Sequence, residues 1–340
     1  MRTCWNWKTG MLEGHVGILP VGVQVPPSAF FLKMREKIFE KKKETQQERK
    51  IKELQEKIAK SSKEIDVSKI LPELSEKRNE IKIKLPEEVF DPRDPWTEIF
   101  ANGLRKIAKE KIENKNVWEV GIGSGVIAVL LKLLGAKKVF GSDINETAVL
   151  TAKENVKRLL GKEALKDFEF MVGDLFSFLK RLKNIDLVVG CLPQIPVSFE
   201  VKGRNTADYY SEKDYPSHFN IVGLGLIDNF LKQIQKEKLL SEKTTIVLNL
   251  GGRPSKKTLL ELFIKNGFQP EIVDEKIIRQ DPNTSLSTLV KIEQNFPSIK
   301  FEFFEDPEGK NKISATQAEE KRKKGENVFH KIYVICGTPK

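Results

Sequence analysis

Val117-Trp118-Glu119-Val120-Gly121-Ile122-Gly123-Ser124-Gly125-Val126-Ile127 reads as a strand, a glycine turn and a helix start in one run. Glycine lets backbone turn sharply and approach a ligand with no Cβ in the way. A helix opening at Ser124 aims its free N–H groups at the same point. The run is that of a nucleotide-cofactor site, and its spacing selects the cofactor. Dinucleotide folds use G-x-G-x-x-G to seat a pyrophosphate on the helix N-terminus. Here Gly121, Gly123 and Gly125 run G-x-G-x-G, and an acid, Glu119, stands two residues upstream. S-adenosylmethionine has no phosphate; it carries a sulfonium cation, an amino-acid head and a ribose, and an acid beside the turn suits it better than it suits a pyrophosphate.

Three more strand ends follow in order. Lys137 to Asn145 is a short apolar strand ending in Asp143-Ile144, about twenty residues past the turn, where an acid at a strand tip can accept both ribose hydroxyls. The structural alternative is that Asp143 caps the helix starting near Glu146. Phe168 to Leu175 is another strand ending in an acid, with Asp174 suited to the adenine amino group and Leu175 to packing on the ring. Ile185 to Gln194 is a buried-type strand running into a proline loop. Together these ends resemble the class I S-adenosylmethionine-dependent methyltransferases over residues 85–293. The resemblance implies an α/β, Rossmann-like, seven-stranded, mostly parallel sheet with an antiparallel final strand. It also implies a cofactor set of Glu119, Gly121, Gly123, Gly125, Asp143, Ile144, Asp174 and Leu175.

Composition agrees with this reading. A chain of 340 residues, 39% hydrophobic, can bury the core of one large domain with an appendage. Its formal charge of +11 is compatible with nucleic acid or other anionic partners, but lysine is spread through arm and body without an arginine cluster or interleaved aromatics. A small-molecule substrate is therefore the expected partner, with nucleic acid the less supported alternative. Cys4, Cys191 and Cys336 share no metal-like spacing and make no even framework, which points to a reducing cytoplasm and no metal site. With only His15, His218 and His330, a histidine metal site is not expected. No apolar run is long enough to span a bilayer.

Residues 1–33 hold Trp5, Trp7, Pro20, Pro26 and Pro27 with neither a strand nor a helix period, and are expected to lie outside the fold, with Met34 as an alternative start. Residues 34–84 are read as a charged helical arm, with Ile51, Leu54, Ile58 and Ile65 at heptad-like spacing. The methyltransferase domain is placed at 85–295. Within it Ile221 to Lys238 and Ser255 to Asn266 are expected helices. Thr244 to Leu250, Phe268 to Ile278 and Leu286 to Glu293 are expected strands. Residues 296–340 are read as a C-terminal β extension, a hairpin of Phe301 to Phe304 and Phe329 to Ile335, with Glu319 to Gly325 a solvated charge tract.

The proline loop narrows the acceptor. Amide- and base-methylating relatives carry Asn-Pro-Pro-Tyr there, which clamps a planar NH2. Here Cys191 replaces the asparagine, Pro193 alone survives and Gln194 replaces the aromatic. Gly190 to Ile195, Gly223 to Ile227, Asn249 to Pro254, Leu289 to Glu293 and Phe301 to Phe304 instead resemble the methyltransferase domain of plant-type methionine S-methyltransferases. That resemblance implies methyl transfer to a small thioether amino acid, methionine giving S-methylmethionine, with Cys191, Pro193 and Gln194 at the reacting loop. A thioether uses a free lone pair and loses no proton, so alignment and tolerance of a cation matter more than a general base. Trp96, Tyr209 or Tyr210 could face the sulfonium product, and Arg253, held in a glycine turn after a strand, could bind the substrate carboxylate. Two other readings stand beside this one: a protein or RNA N-methyltransferase related to the release-factor glutamine methyltransferases, and a non-catalytic module that keeps the cofactor fold.

Overall fold

The computed structural model describes residues 4–5, 12–13, 48–76, 80–175, 182, 184–196, 218–236 and 243–340. Residues 1–56 and 57–340 form two compact units. In the first, Cys4–Trp5 (β1) pairs antiparallel with Leu12–Glu13 (β2). The expectations for the rest of residues 1–33 and for an arm opening at Met34 fall outside the described residues. Residues 48–61 are helical (α1). Ile65, expected to continue that helix's apolar seam, instead lies in a strand.

From Lys57 onward the chain runs through a hairpin of Lys63–Asp66 (β3) and Lys82–Leu85 (β4), then Pro95–Lys106 (α2), Asn116–Val120 (β5), Val126–Leu133 (α3), Lys138–Asp143 (β6), Glu146–Leu160 (α4), Phe168–Val172 (β7) and Leu187–Gly190 (β8). Gly225–Lys236 (α5), Thr245–Gly251 (β9), Lys256–Lys265 (α6), Phe268–Arg279 (β10), Ser287–Asn295 (α7), Phe303–Phe304 (β11), Lys312–Ile313 (β12), Ala315–Lys323 (α8) and Phe329–Pro339 (β13) complete it. Strands β7, β6, β5, β8 and β9 pair in parallel in that spatial order. β13 joins antiparallel to β9 and takes β10 on its other edge. The sheet is therefore Rossmann-like and mostly parallel, but with β11 and β12 it holds nine strands, two more than expected.

Residues alternate between its two buried faces. Trp118, Val188, Leu248 and Tyr333 point into a core with α5, α6 and α7. Val117, Val189, Val247 and Val334 point into the opposite core with α2, α3 and α4. Burial on both faces explains why these strands read as continuous apolar runs.

The C-terminal part departs from expectation. Leu286 to Glu293 is helical (α7), because Leu286, Leu289 and Ile292 recur every three residues and all three are buried, a helical rather than an alternating pattern. The final antiparallel strand is β13, so the segment expected as a peripheral hairpin supplies the strand that joins β10 and β11 to the parallel strands through β9. β11 meets it only at Phe304 and Phe329. Most of the Glu319 to Gly325 tract belongs to α8, started by a capping box of Ser314 and Gln317, and Glu319 is buried against Arg322.

Fully buried Asn155 on α4 joins three elements. Its Oδ1 accepts from the Lys84 N–H at 2.9 Å, and its Nδ2 donates to the carbonyls of Lys84 and Ser124 at 2.9 Å each. It thereby ties the β4 hairpin and the glycine turn to one helix. Asn155→Ala strips buried backbone groups of their partner and is expected to cost about 3 kcal/mol of stability, read as a lowered urea midpoint. An unchanged midpoint contradicts this account.

Candidate functional site

β5 pairs with β6 on one side and β8 on the other, so the crossovers after β5 and β8 leave in opposite directions. Such a switch point opens a crevice beyond the strand ends. A cavity of about 460 Å³ lies there. Its walls include the glycine turn, Asp143, Ile144, Gly173 and Leu175 on the β6 and β7 side, and Trp96, Cys191, Pro193, Gln194 and Arg253 on the other.

The turn needs glycine. Gly121, Gly123 and Gly125 all have positive φ, at 74°, 50° and 79°, and a Cβ on Gly125 would lie 2.8 Å from the Ala152 Cα of α4. α3 opens just after Gly125 and packs its apolar side on the sheet. Asp143 closes the turn from the neighbouring strand. Its Oδ2 accepts from the Gly123 N–H at 3.1 Å and its Oδ1 from the Asn145 N–H at 2.9 Å. Asn145, not Asp143, caps α4, its side chain accepting from Thr147 N–H. Burial raises the Asp143 carboxyl above its usual range, against the lowering effect of these N–H donors.

Glu119 is the most exceptional group in the site. It is 4% exposed, and its Oε2 has no hydrogen-bond partner among the described residues. Burial first, then the Asp143 charge, raises its carboxyl well above the ordinary range. A buried acid left without a donor, beside a turn whose backbone can approach a ligand closely, fits a cationic ligand end. The cavity volume, the Glu119 oxygen and the Asp143 tip together fit the S-adenosylmethionine expected from the sequence. Asp174 lies between the lining residues Gly173 and Leu175 but does not itself line the cavity.

At the other end, Gln194 spends both amide atoms on one residue. Its Oε1 accepts from the Gly251 N–H at 2.5 Å and its Nε2 donates to the Gly251 carbonyl at 3.2 Å. This pins the proline loop to the end of β9. Gly251 must be small, since a Cβ there would meet the Trp96 ring at 2.5 Å. Asn249, buried on β9, donates to the Trp96 carbonyl at 2.9 Å and to the Cys191 sulfur at 3.6 Å. Cys191 lines this space, and desolvation pushes its thiol up to about 11, so it stays neutral. Arg253 is the one basic side chain among the described residues lining the cavity, and burial lowers its pKa. His330, close enough for the Arg253 charge to act on it, is buried and held neutral, its pKa lowered to about 3. Tyr209 and Tyr210 lie outside the described residues.

Sequence reading missed Asn249, Phe90 and Asp94. Asn249 opens a string that resembles the methionine S-methyltransferases, but inside an apolar strand run its spacing gives it no role. Asp94-Pro95, a capping residue followed by proline at the first helical position, is a legible helix start; what it does not reveal is that the cap also lines the cavity.

A cationic ligand end favours the ionised form of Glu119 and so returns its raised pKa toward normal. S-adenosylmethionine binding is accordingly expected to release a proton, to weaken as pH falls through the raised pKa, and to lose both effects in Glu119→Gln. Calorimetry in buffers of different ionisation enthalpy measures this; proton uptake, or equal behaviour in the variant, contradicts it. Asp143→Ala is expected to weaken the same binding by about tenfold or more, charge-assisted contacts being worth about 1.5 to 3 kcal/mol each.

Residues 95–190 match the family model of the ribosomal protein L11 methyltransferase, PrmA. The chain is 30% identical to a methionine S-methyltransferase of Hordeum vulgare over 271 residues, 72% of this chain and 24% of that protein. The Zea mays methionine S-methyltransferase matches with the same identity and coverage. The chain thus spans about a quarter of the length of these relatives. A ribosomal protein L11 methyltransferase of Fusobacterium nucleatum is 33% identical over 119 residues, 34% of this chain and 36% of that protein. No helix among the described residues is long and apolar enough to cross a membrane. The glycine turn with its acid, the parallel sheet that reverses direction beside it and these matches are together those of an S-adenosylmethionine-dependent methyltransferase domain.

Proposed function

We propose that the protein methylates the thioether of a small amino acid, free methionine being the first choice and S-methylmethionine the product. The observation that carries this reading is Arg253, the one cation among the described residues lining a cavity whose other charged lining groups are the acids Glu88, Asp94, Glu119 and Asp143. A guanidinium with burial as the cause of its lowered pKa is poised for a carboxylate, which it bonds through two parallel N–H donors. S-adenosylmethionine supplies an electrophilic methyl group when bound. In this reading Glu119 faces its amino-acid head, Asp143 its ribose, and Leu175 packs on its base.

The acceptor end supports a nucleophile that keeps no proton to lose. The Cys191 thiol is held neutral, the Gln194 amide is committed to Gly251, and His330 is neutral and has both ring nitrogens buried. None of these removes a proton from an acceptor near neutral pH. Trp96 offers a ring face for a cationic product. Likeness to the Hordeum vulgare protein over 72% of the chain supports methionine, while the L11 methyltransferase model over residues 95–190 favours a protein acceptor as the second reading.

Incubation with labelled S-adenosylmethionine, methionine and a cell extract, followed by mass spectrometry, tests the choice. Label is expected on methionine, at a rate nearly flat between about pH 6 and 8 when S-adenosylmethionine saturates, because the thioether does not titrate there. Arg253→Ala is expected to raise KM for methionine and leave S-adenosylmethionine affinity in place. Label on protein or RNA and none on methionine overturns the proposal.

A further inference from the structure

We infer that Asp94 binds the ammonium group of the acceptor, so that the cavity end bounded by Asp94, Trp96 and Arg253 reads both charges of a free α-amino acid. This rests on the thioether amino-acid reading above and adds to it the reason a peptide-bound methionine would be refused.

Three observations meet at this end. Asp94 lines the same cavity as Arg253. One of its oxygens, Oδ1, is occupied, accepting from the Trp96 N–H at 2.9 Å as the N-cap of α2. The other, Oδ2, has no hydrogen-bond or ion-pair partner among the described residues, so one carboxylate serves the helix and faces the cavity at once. Second, the start of α2 is fixed against the end of β9. Asn249 holds the Trp96 carbonyl, and the Trp96 ring lies where a Gly251 Cβ would stand, two residues before Arg253. Asp94 and Arg253 are therefore carried by two elements locked to each other, and their separation is set by packing. Third, Cys191 of the proline loop lines the same cavity as Asp94, and the Asp94 charge is one of those that oppose a thiolate there.

The chemistry follows from charge. A free amino acid presents an ammonium and a carboxylate on one carbon, and a paired acid and guanidinium bind both by charge-assisted hydrogen bonds. Acylating the nitrogen removes the cation and leaves Asp94 facing a neutral amide. A site built for a charge rejects the analogue that lacks it, because its own group is left unpaired. The same carboxylate also offsets the positive charge that the acceptor sulfur gains on methylation.

Asp94→Asn is the informative variant, since asparagine caps a helix as well as aspartate does and keeps the acceptor for the Trp96 N–H while losing the charge. Methionine and N-acetylmethionine are offered to wild type and variant, with KM, kcat, S-adenosylmethionine affinity and melting temperature recorded. Wild type is expected to prefer methionine by at least about tenfold in kcat/KM. The variant is expected to raise the methionine KM by at least about tenfold, lose most of that preference, and keep its cofactor affinity and melting temperature; about 1.4 kcal/mol corresponds to each factor of ten. Asp94→Ser, another capping residue, gives the same readout if the asparagine variant folds poorly. Equal use of the two acceptors by wild type, or a variant whose loss lies in kcat or in cofactor binding, overturns the assignment of Asp94 alone. A wild-type enzyme that neither methylates nor binds methionine overturns the acceptor reading and this inference together.

Discussion

Two backbone N–H groups on one carboxylate organise the functional end of this molecule. Asp143 at the tip of β6 takes the Gly123 N–H with one oxygen and the Asn145 N–H with the other, so it stitches the glycine turn after β5 to the start of α4. The bond has a chemical corollary. At the glycine turn of a dinucleotide fold, free N–H groups are left to a pyrophosphate. Here the Gly123 N–H is already spent on an acid, and Glu119 adds a second carboxyl at the same place. A phosphate would meet two acids and one fewer donor, whereas a neutral ribose with a cationic amino-acid head meets what it requires. The choice of cofactor class is thus made by a hydrogen bond internal to the protein.

Holding Glu119 in that position costs stability. Among the described residues its Oε2 has no partner, inside a parallel sheet whose neighbouring residues are fully buried, and burial disfavours its charged form. A sequence selected for stability alone would place an apolar residue there, since Val117, Trp118 and Val120 on the same strand are all completely covered. Local rules are broken most often where a site demands it. The surrounding core offsets the cost through apolar packing on both faces of the sheet, and Asn155 fixes the turn against the β4 hairpin from below.

The parallel half of the fold was legible because each of its strands is an apolar run ending at a glycine, an acid or a proline, and α4 carries a start signal in Asn145. Ser255 does cap α6, and Gly267 does take the left-handed conformation that ends it. The C-terminal half was not legible in the same way. About fifty residues separate β10 from the strand that pairs with it, and no local pattern announces a partner so distant in sequence. Phe329 to Ile335 looked like one arm of a small hairpin because Phe301 to Phe304 preceded it with similar residues. The difference lies in burial: Ile332, Tyr333, Val334 and Ile335 are covered on both faces, a property of the finished sheet. At the site, glycines and acids could be read from spacing, while Asn249 and the inward face of Asp94 depend on how α2 meets β9.

The acceptor end is defined as much by what its groups are occupied with as by what they are. A proline loop that methylates an amide keeps an amide acceptor and an aromatic face free for the substrate. In this protein the one amide in the loop, Gln194, is bound at both atoms to the Gly251 backbone, and that pairing holds the loop in register with β9. Cys191 is held neutral by desolvation despite the Asn249 N–H beside it, so it supplies neither a base nor an anion. Arg253 is left as the one lining cation among the described residues, and Trp96, pressed against Gly251, as an aromatic face at the same end. Positioning charges and a ring face are what a nucleophile with a permanent lone pair requires, and a proton acceptor is what it does not. In the proposed reading the same loop serves an amine or amide poorly, because neither Cys191 nor Gln194 can take the proton released on methylation, whereas a thioether releases none.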